Sequence, residues 1–88
     1  MTNNQRILIV EDEADIANVV LDYLRHAGYD AEHVADGNAA LERLLGSNPP
    51  DLTLLDVMLP GMDGLEVLRQ TRKNGDALII LLTARVEE

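Results

Sequence analysis

Three carboxylates and a hydroxyl stand at the ends of short apolar runs in this chain. Glu11 and Asp12 follow Ile7-Leu8-Ile9-Val10, Asp56 follows Leu52-Thr53-Leu54-Leu55, and Thr83 follows the run from Ala77 to Leu82. If the first and third runs are neighbouring strands, the three carboxylates converge on one small volume. Two carboxylates about 5 Å apart repel by roughly 3 kcal/mol at an effective dielectric near 20, so such a cluster calls for a cation. Carboxylate oxygens with a backbone carbonyl and waters suit octahedral Mg²⁺. The absence of His and Cys from the cluster argues against zinc. A carboxylate beside Mg²⁺ can attack phosphorus to form an acyl phosphate. A nearby hydroxyl such as that of Thr83 can then bind a phosphoryl oxygen.

The elements that must position these groups follow from periodicity. Ile7 to Val10 is a mostly β-branched run too short for a helix and reads as a strand buried on both faces. After Glu11-Asp12-Glu13, the apolar residues Ile16, Val19, Val20, Tyr23, Leu24 and Ala27 recur at helical spacing, which predicts one buried face. Gly28 supplies a left-handed stop. Asp30 to Val34 reads as an edge strand, and Asp36 as the cap of a helix burying Ala40, Leu41, Leu44 and Leu45. Pro49 and Pro50 end that helix. Leu52 to Leu55 is the third strand. Asp63 caps a third helix running to about Arg72 with Leu65 and Leu68 inward, and Asn74-Gly75 turns the chain into the fourth strand. The order βαβαβαβ predicts an α/β fold with one parallel sheet and helices on both faces. In such sheets the ligand site lies beyond the carboxyl ends of the strands, where strand order reverses.

Composition excludes several classes. The 88 residues hold one small domain at most, 47% of them hydrophobic, and no Cys is present for a disulfide or thiolate site. Sixteen acidic against seven basic side chains give a net charge of −9, which repels phosphate backbones, so this segment is not expected to bind nucleic acid directly. No apolar run approaches the ~20 residues of a membrane span, and the polar start Met1-Thr2-Asn3-Asn4-Gln5 lacks a signal-peptide core. The expectation is a cytoplasmic protein with no membrane contact.

The segments Ile7-Leu8-Ile9-Val10-Glu11-Asp12-Glu13, Ala35-Asp36-Gly37, Pro50-Asp51-Leu52, Leu55 to Gly64 (LDVMLPGMDG) and Leu82-Thr83-Ala84 resemble the receiver domain of bacterial two-component response regulators. The wording is similar to the subfamily with a winged-helix DNA-binding output domain. The resemblance implies a flavodoxin-like receiver fold and phosphoryl transfer from a histidine kinase to Asp56. It also implies that Asp12 ligates Mg²⁺ directly and Glu11, where the family often has Asp, through a water. Met58 would offer its backbone carbonyl to the metal, and Thr83 would bind the phosphoryl group as the switching hydroxyl. Receiver domains continue with a helix, a fifth strand ending in Lys-Pro and a final helix. This sequence is therefore expected to be the front part of such a domain, and its fourth strand an apolar edge open to self-association or domain swapping.

Asp56 alone would pass for an Asp that ends a strand and opens a turn; Glu11-Asp12 and the long Pro-Gly loop change that balance. Glu13 and Asp15 read as acids at a helix N-terminus. His26 and His33 are expected in solvent, far from the carboxylates, and Arg69, Arg72 and Lys73 as a solvated patch. Two other functions compete. A Mg²⁺-dependent phosphatase with an Asp nucleophile generally needs an acid two residues later, where this chain has Met58. A receiver-like module that only binds proteins would not need the intact set Glu11, Asp12, Asp56 and Thr83.

Overall fold

A computed structural model describes residues 5–82. Four strands and three helices alternate: β1 (Arg6–Val10), α1 (Ala14–His26), β2 (Asp30–Val34), α2 (Gly37–Leu45), β3 (Leu52–Asp56), α3 (Gly64–Lys73) and β4 (Ile79–Leu82). The sheet is parallel in the order β2-β1-β3-β4, with Val10 beside Val34 on one flank and beside Leu55 on the other. β1 thus sits where strand order reverses. Ile7 to Val10 are buried on both faces, as a central parallel strand requires, and burying one such leucine stabilises by about 1.5–3 kcal/mol.

The two sides of the sheet carry different helices. Leu8, Val10 and Leu55 pack with Ala40 and Leu44 of α2 and Val67 of α3, while Ile9 and Ala31 pack with Leu21 of α1. The α2–β3 turn is tied to the start of β1. The Arg6 guanidinium donates to the carbonyls of Asn48 (3.1 Å) and Pro49 (2.6 Å), and the Arg6 amide donates to Asp51 Oδ2 (2.8 Å). Asp36 Oδ1 accepts from the Ala39 amide (2.8 Å) and Asp63 Oδ1 from the Glu66 amide (3.0 Å), so both expected caps form. Gly28 has the expected left-handed backbone, φ 99°.

Helix rotation departs from the periodicity. α1 buries Ala17 and Leu21, with Val20 and Leu24 partly covered, while Ile16, Val19 and Tyr23 are exposed. Its apolar stripe is wider than one contact, and the helix leans on the edge of the stripe nearest β1 and β2. The same correction applies to Leu45 of α2 and Leu65 of α3, both exposed; Val67 takes the buried place on α3 because α3 turns that side toward Leu55 and α2. β4 is also shorter than expected, beginning at Ile79, although the Leu78 carbonyl still accepts from the Thr53 amide. Leu78, Ile80, Leu81 and Leu82 are exposed, and β2 and β4 are the edges among the described residues. No helix among these residues is long and apolar enough to cross a membrane.

Candidate functional site

Because β1 and β3 are parallel neighbours in register from Ile7–Leu52 to Val10–Leu55, the residues that follow them leave the sheet side by side. Glu11, Asp12 and Asp56 each offer a carboxylate oxygen, and these oxygens lie within 4.8 Å of one another. The convergence expected from the strand ends is therefore present. Asp56 is buried at 7% exposure, Glu11 is partly covered, and Asp12 is open to solvent.

Main-chain donors hold two of the three. Asp56 Oδ1 accepts from the Met58 amide (3.2 Å), and Glu11 Oε2 accepts from the Glu13 amide (3.1 Å), which also opens α1. The loop after Asp56 is fixed from both ends. The Val57 amide donates to the Leu82 carbonyl (3.4 Å), and the Gly64 amide donates to the Val57 carbonyl (2.9 Å). Gly64 has no room for a side chain, since a Cβ there would stand 2.4 Å from the Asp56 carbonyl oxygen. Beyond the carboxylates the loop and α1 enclose an open cleft of about 500 Å³, lined by Asp12, Glu13, Met58, Pro60 and Asp63 among others.

The electrostatics fit a cation. Burial raises the Glu11 carboxyl above its ordinary 4.5; the Glu13 amide opposes this, while the charges of Asp56 and Asp12 add to it. A carboxyl whose folded-state pKa is raised binds protons more tightly in the folded state. The metal-free chain therefore gains stability as pH falls through the window just above 4.5 and loses it as pH rises. Accordingly, Glu11→Gln, which removes a partly buried charge beside two others, is expected to stabilise the metal-free chain at neutral pH by about 1 kcal/mol. Urea titration in chelator reads this directly; a destabilised variant would mean that the bond to the Glu13 amide outweighs burial and repulsion at Glu11.

The other expected residues fall as follows. Met58 lies in the loop beside Asp56 with its side chain 54% exposed. Thr83 lies outside the described residues. Glu13 occupies the N-cap position of α1 without a side-chain cap bond, and Asp15 sits in the first turn. His26 is exposed, its Nδ1 2.8 Å from the Asp22 carbonyl. His33 is a correction: its Nε2 stands 2.7 Å from the backbone oxygen of Glu11, beside the cluster rather than far from it. A parallel β1–β2 pair places His33 across from Ile9, two residues before Glu11, so only the register exposes this contact.

Comparison with known proteins gives the family. The family profile of the response regulator receiver domain matches residues 7–88. The transcriptional regulatory protein BaeR of Escherichia coli O6:H1 is 45% identical over 86 residues, which is 98% of this chain and 35% of BaeR; the chain thus spans about a third of that relative. The response regulator TrrA of Thermotoga maritima, solved with Mg²⁺-BeF, has a TM-score of 0.83 at 41% identity, covering 92% of this chain and 70% of TrrA. A solved complex of the histidine kinase ThkA with TrrA matches with a TM-score of 0.84 at 40% identity, over 94% of this chain and 72% of the matched one.

Proposed function

The chain belongs to the response regulator receiver family, and from that membership and its carboxylate cluster we propose that it is a phosphoacceptor switch. Asp56 takes the phosphoryl group from a histidine kinase. The observation that carries the reading is the buried Asp56 carboxylate within 4.8 Å of two others at the carboxyl ends of β1 and β3. Three oxygen donors at that spacing, one of them solvent-facing, fit a hard divalent cation that keeps several waters. Mg²⁺ bound there supplies charge neutralisation for the incoming phosphoryl oxygens. Asp12, Asp56 and Glu11 would hold it with their carboxylates, and the Met58 carbonyl would add a further oxygen donor. The solved relatives support this choice, since TrrA is described with Mg²⁺-BeF and in complex with the kinase ThkA.

The chain's own residues then set the acceptor. With Oδ1 engaged by the Met58 amide, Oδ2 of Asp56 is the nucleophilic atom. It forms the new P–O bond as the P–N bond of the phosphohistidine breaks. The electron pair returns to the imidazole, which leaves neutral once protonated. Thr83 donates its hydroxyl to a phosphoryl oxygen and draws the end of β4 inward, shifting the domain between two states. The output of the whole protein is transcription, as the name of the relative BaeR suggests.

The test is the mass of the intact chain after incubation with Mg²⁺ and a small-molecule acyl phosphate, one added phosphoryl group being the expected result. Metal binding is tested separately. Asp12→Ala is expected to weaken Mg²⁺ about tenfold or more, a change of about 1.4 kcal/mol, by calorimetric titration. An unchanged affinity in that variant places the cation elsewhere.

A further inference from the structure

His33 belongs to the edge strand β2, yet its ring reaches the end of β1. The ladder between the two strands closes where the Glu11 amide donates to the Val34 carbonyl (3.1 Å). One atom group further along, the Glu11 carbonyl meets His33 Nε2 at 2.7 Å. A carbonyl oxygen only accepts, so Nε2 carries the hydrogen and the ring donates. Glu11 is thus gripped by β2 on both sides of its peptide chain, while its own carboxylate is held by the Glu13 amide at 3.1 Å. These three bonds fix the turn from β1 into α1. Asp12, whose exposed carboxylate has neighbours in Glu11 and Asp56, sits inside that turn.

We infer that His33 is a positioning residue for the cation site: its Nε2–H fixes the Glu11 main chain, and through it the placement of the Glu11 and Asp12 carboxylates. The inference rests on the reading of that cluster as a Mg²⁺ site. It is independent of the phosphoryl chemistry. Groups that orient metal ligands from outside the coordination shell govern affinity because they set how much ordering the ion must impose. Without the bond, the turn is held by the two remaining contacts, and the carboxylates lose part of their preset convergence. The neighbouring Glu32 of β2 has a different partner, pairing with Arg43 of α2.

Three variants test it by Mg²⁺ titration followed through the amide resonances of Asp12 and Met58, with stability measured alongside. His33→Leu removes the donor and is expected to weaken Mg²⁺ about tenfold. His33→Gln places an amide N–H at about the same reach as Nε2 and is expected to restore affinity to near that of the parent chain. Glu32→Gln loosens β2 from α2 without touching Glu11, and is expected to lower stability with affinity unchanged. Parent-like affinity in His33→Leu overturns the inference. So does a loss shared by His33→Gln, or a loss in Glu32→Gln that scales with its lost stability, which would make β2 a structural support only. Failure of the parent chain to bind Mg²⁺ overturns the site itself and the inference with it, an outcome the parent titration separates from the others.

Discussion

Asp56→Asn is expected to abolish phosphoryl uptake completely while leaving the fold in place. The substitution keeps the shape of a side chain that is 7% exposed and still offers an oxygen to the Met58 amide. What it removes is the anionic oxygen that attacks phosphorus, and an amide is no substitute nucleophile. It also removes one of three mutually repelling charges, so the metal-free variant should be at least as stable as the parent chain. The neighbouring carboxylates do not inherit the role. Asp12 is solvent-facing, and the Glu11 carboxylate is engaged with the Glu13 amide. Intact mass after incubation with Mg²⁺ and an acyl phosphate decides the matter. One phosphoryl group on the parent chain and none on the variant assigns the acceptor. Equal uptake by both moves the acceptor to another residue, and loss of uptake through unfolding is excluded by comparing their urea transitions.

Gly37→Ala is expected to cost about 3 kcal/mol or more, since of the chain's glycines it is the one where an added Cβ meets the tightest backbone collision. A Cβ at Gly37 would stand 1.9 Å from the Met62 carbonyl oxygen and 2.8 Å from its carbon, both backbone atoms that no rotamer change can clear. Overpacking typically costs about 1–3 kcal/mol, and a main-chain collision lies at the upper end of that range. Against a total stability of about 5–15 kcal/mol for a small domain, the shift is large. The first turn of α2 is anchored by Asp36, and the 57–63 loop is anchored at Val57 and Gly64, so neither partner is free to retreat. Because that loop begins at Asp56, the variant is also expected to weaken Mg²⁺. Gly75→Ala is the control: open space surrounds its Cβ position and its φ is not positive, so its effect should stay within about 0.5 kcal/mol. A cost below about 1 kcal/mol for Gly37→Ala would show that the loop moves freely away from α2.

The clash at Gly37 also marks the reach of local patterns. Asp36-Gly37 is legible as a cap and a turn, because capping acts over three residues: the Asp36 side chain meets the amide of Ala39. That Gly37 must also lack a Cβ depends on Met62, 25 positions away, and no local pattern carries it.

Features governed by short-range chemistry are written in the residue order alone. A short apolar run rich in β-branched residues, such as Ile7 to Val10, favours a strand covered on both faces, and Asp36, Asp63 and Gly28 end or begin helices by bonds or φ values within a few residues. Alternating strands and helices then restrict the topology to a right-handed parallel sheet with its site at the strands' carboxyl ends, and the observed order β2-β1-β3-β4 makes β1 and β3 neighbours. Glu11, Asp12 and Asp56 are legible as residues at those ends. The rotation of each helix and the register of each strand emerge only when the elements pack. On α1 the apolar residues spread over so wide an arc that several rotations bury similar area; contact with Ile9 and Ala31 selects Leu21 over Ile16, Val19 and Tyr23. Likewise His33 comes to the Glu11 carbonyl because pairing with Ile9 sets it two residues short of Glu11. Such choices are made by packing between segments distant in sequence, whose energies no single segment contains.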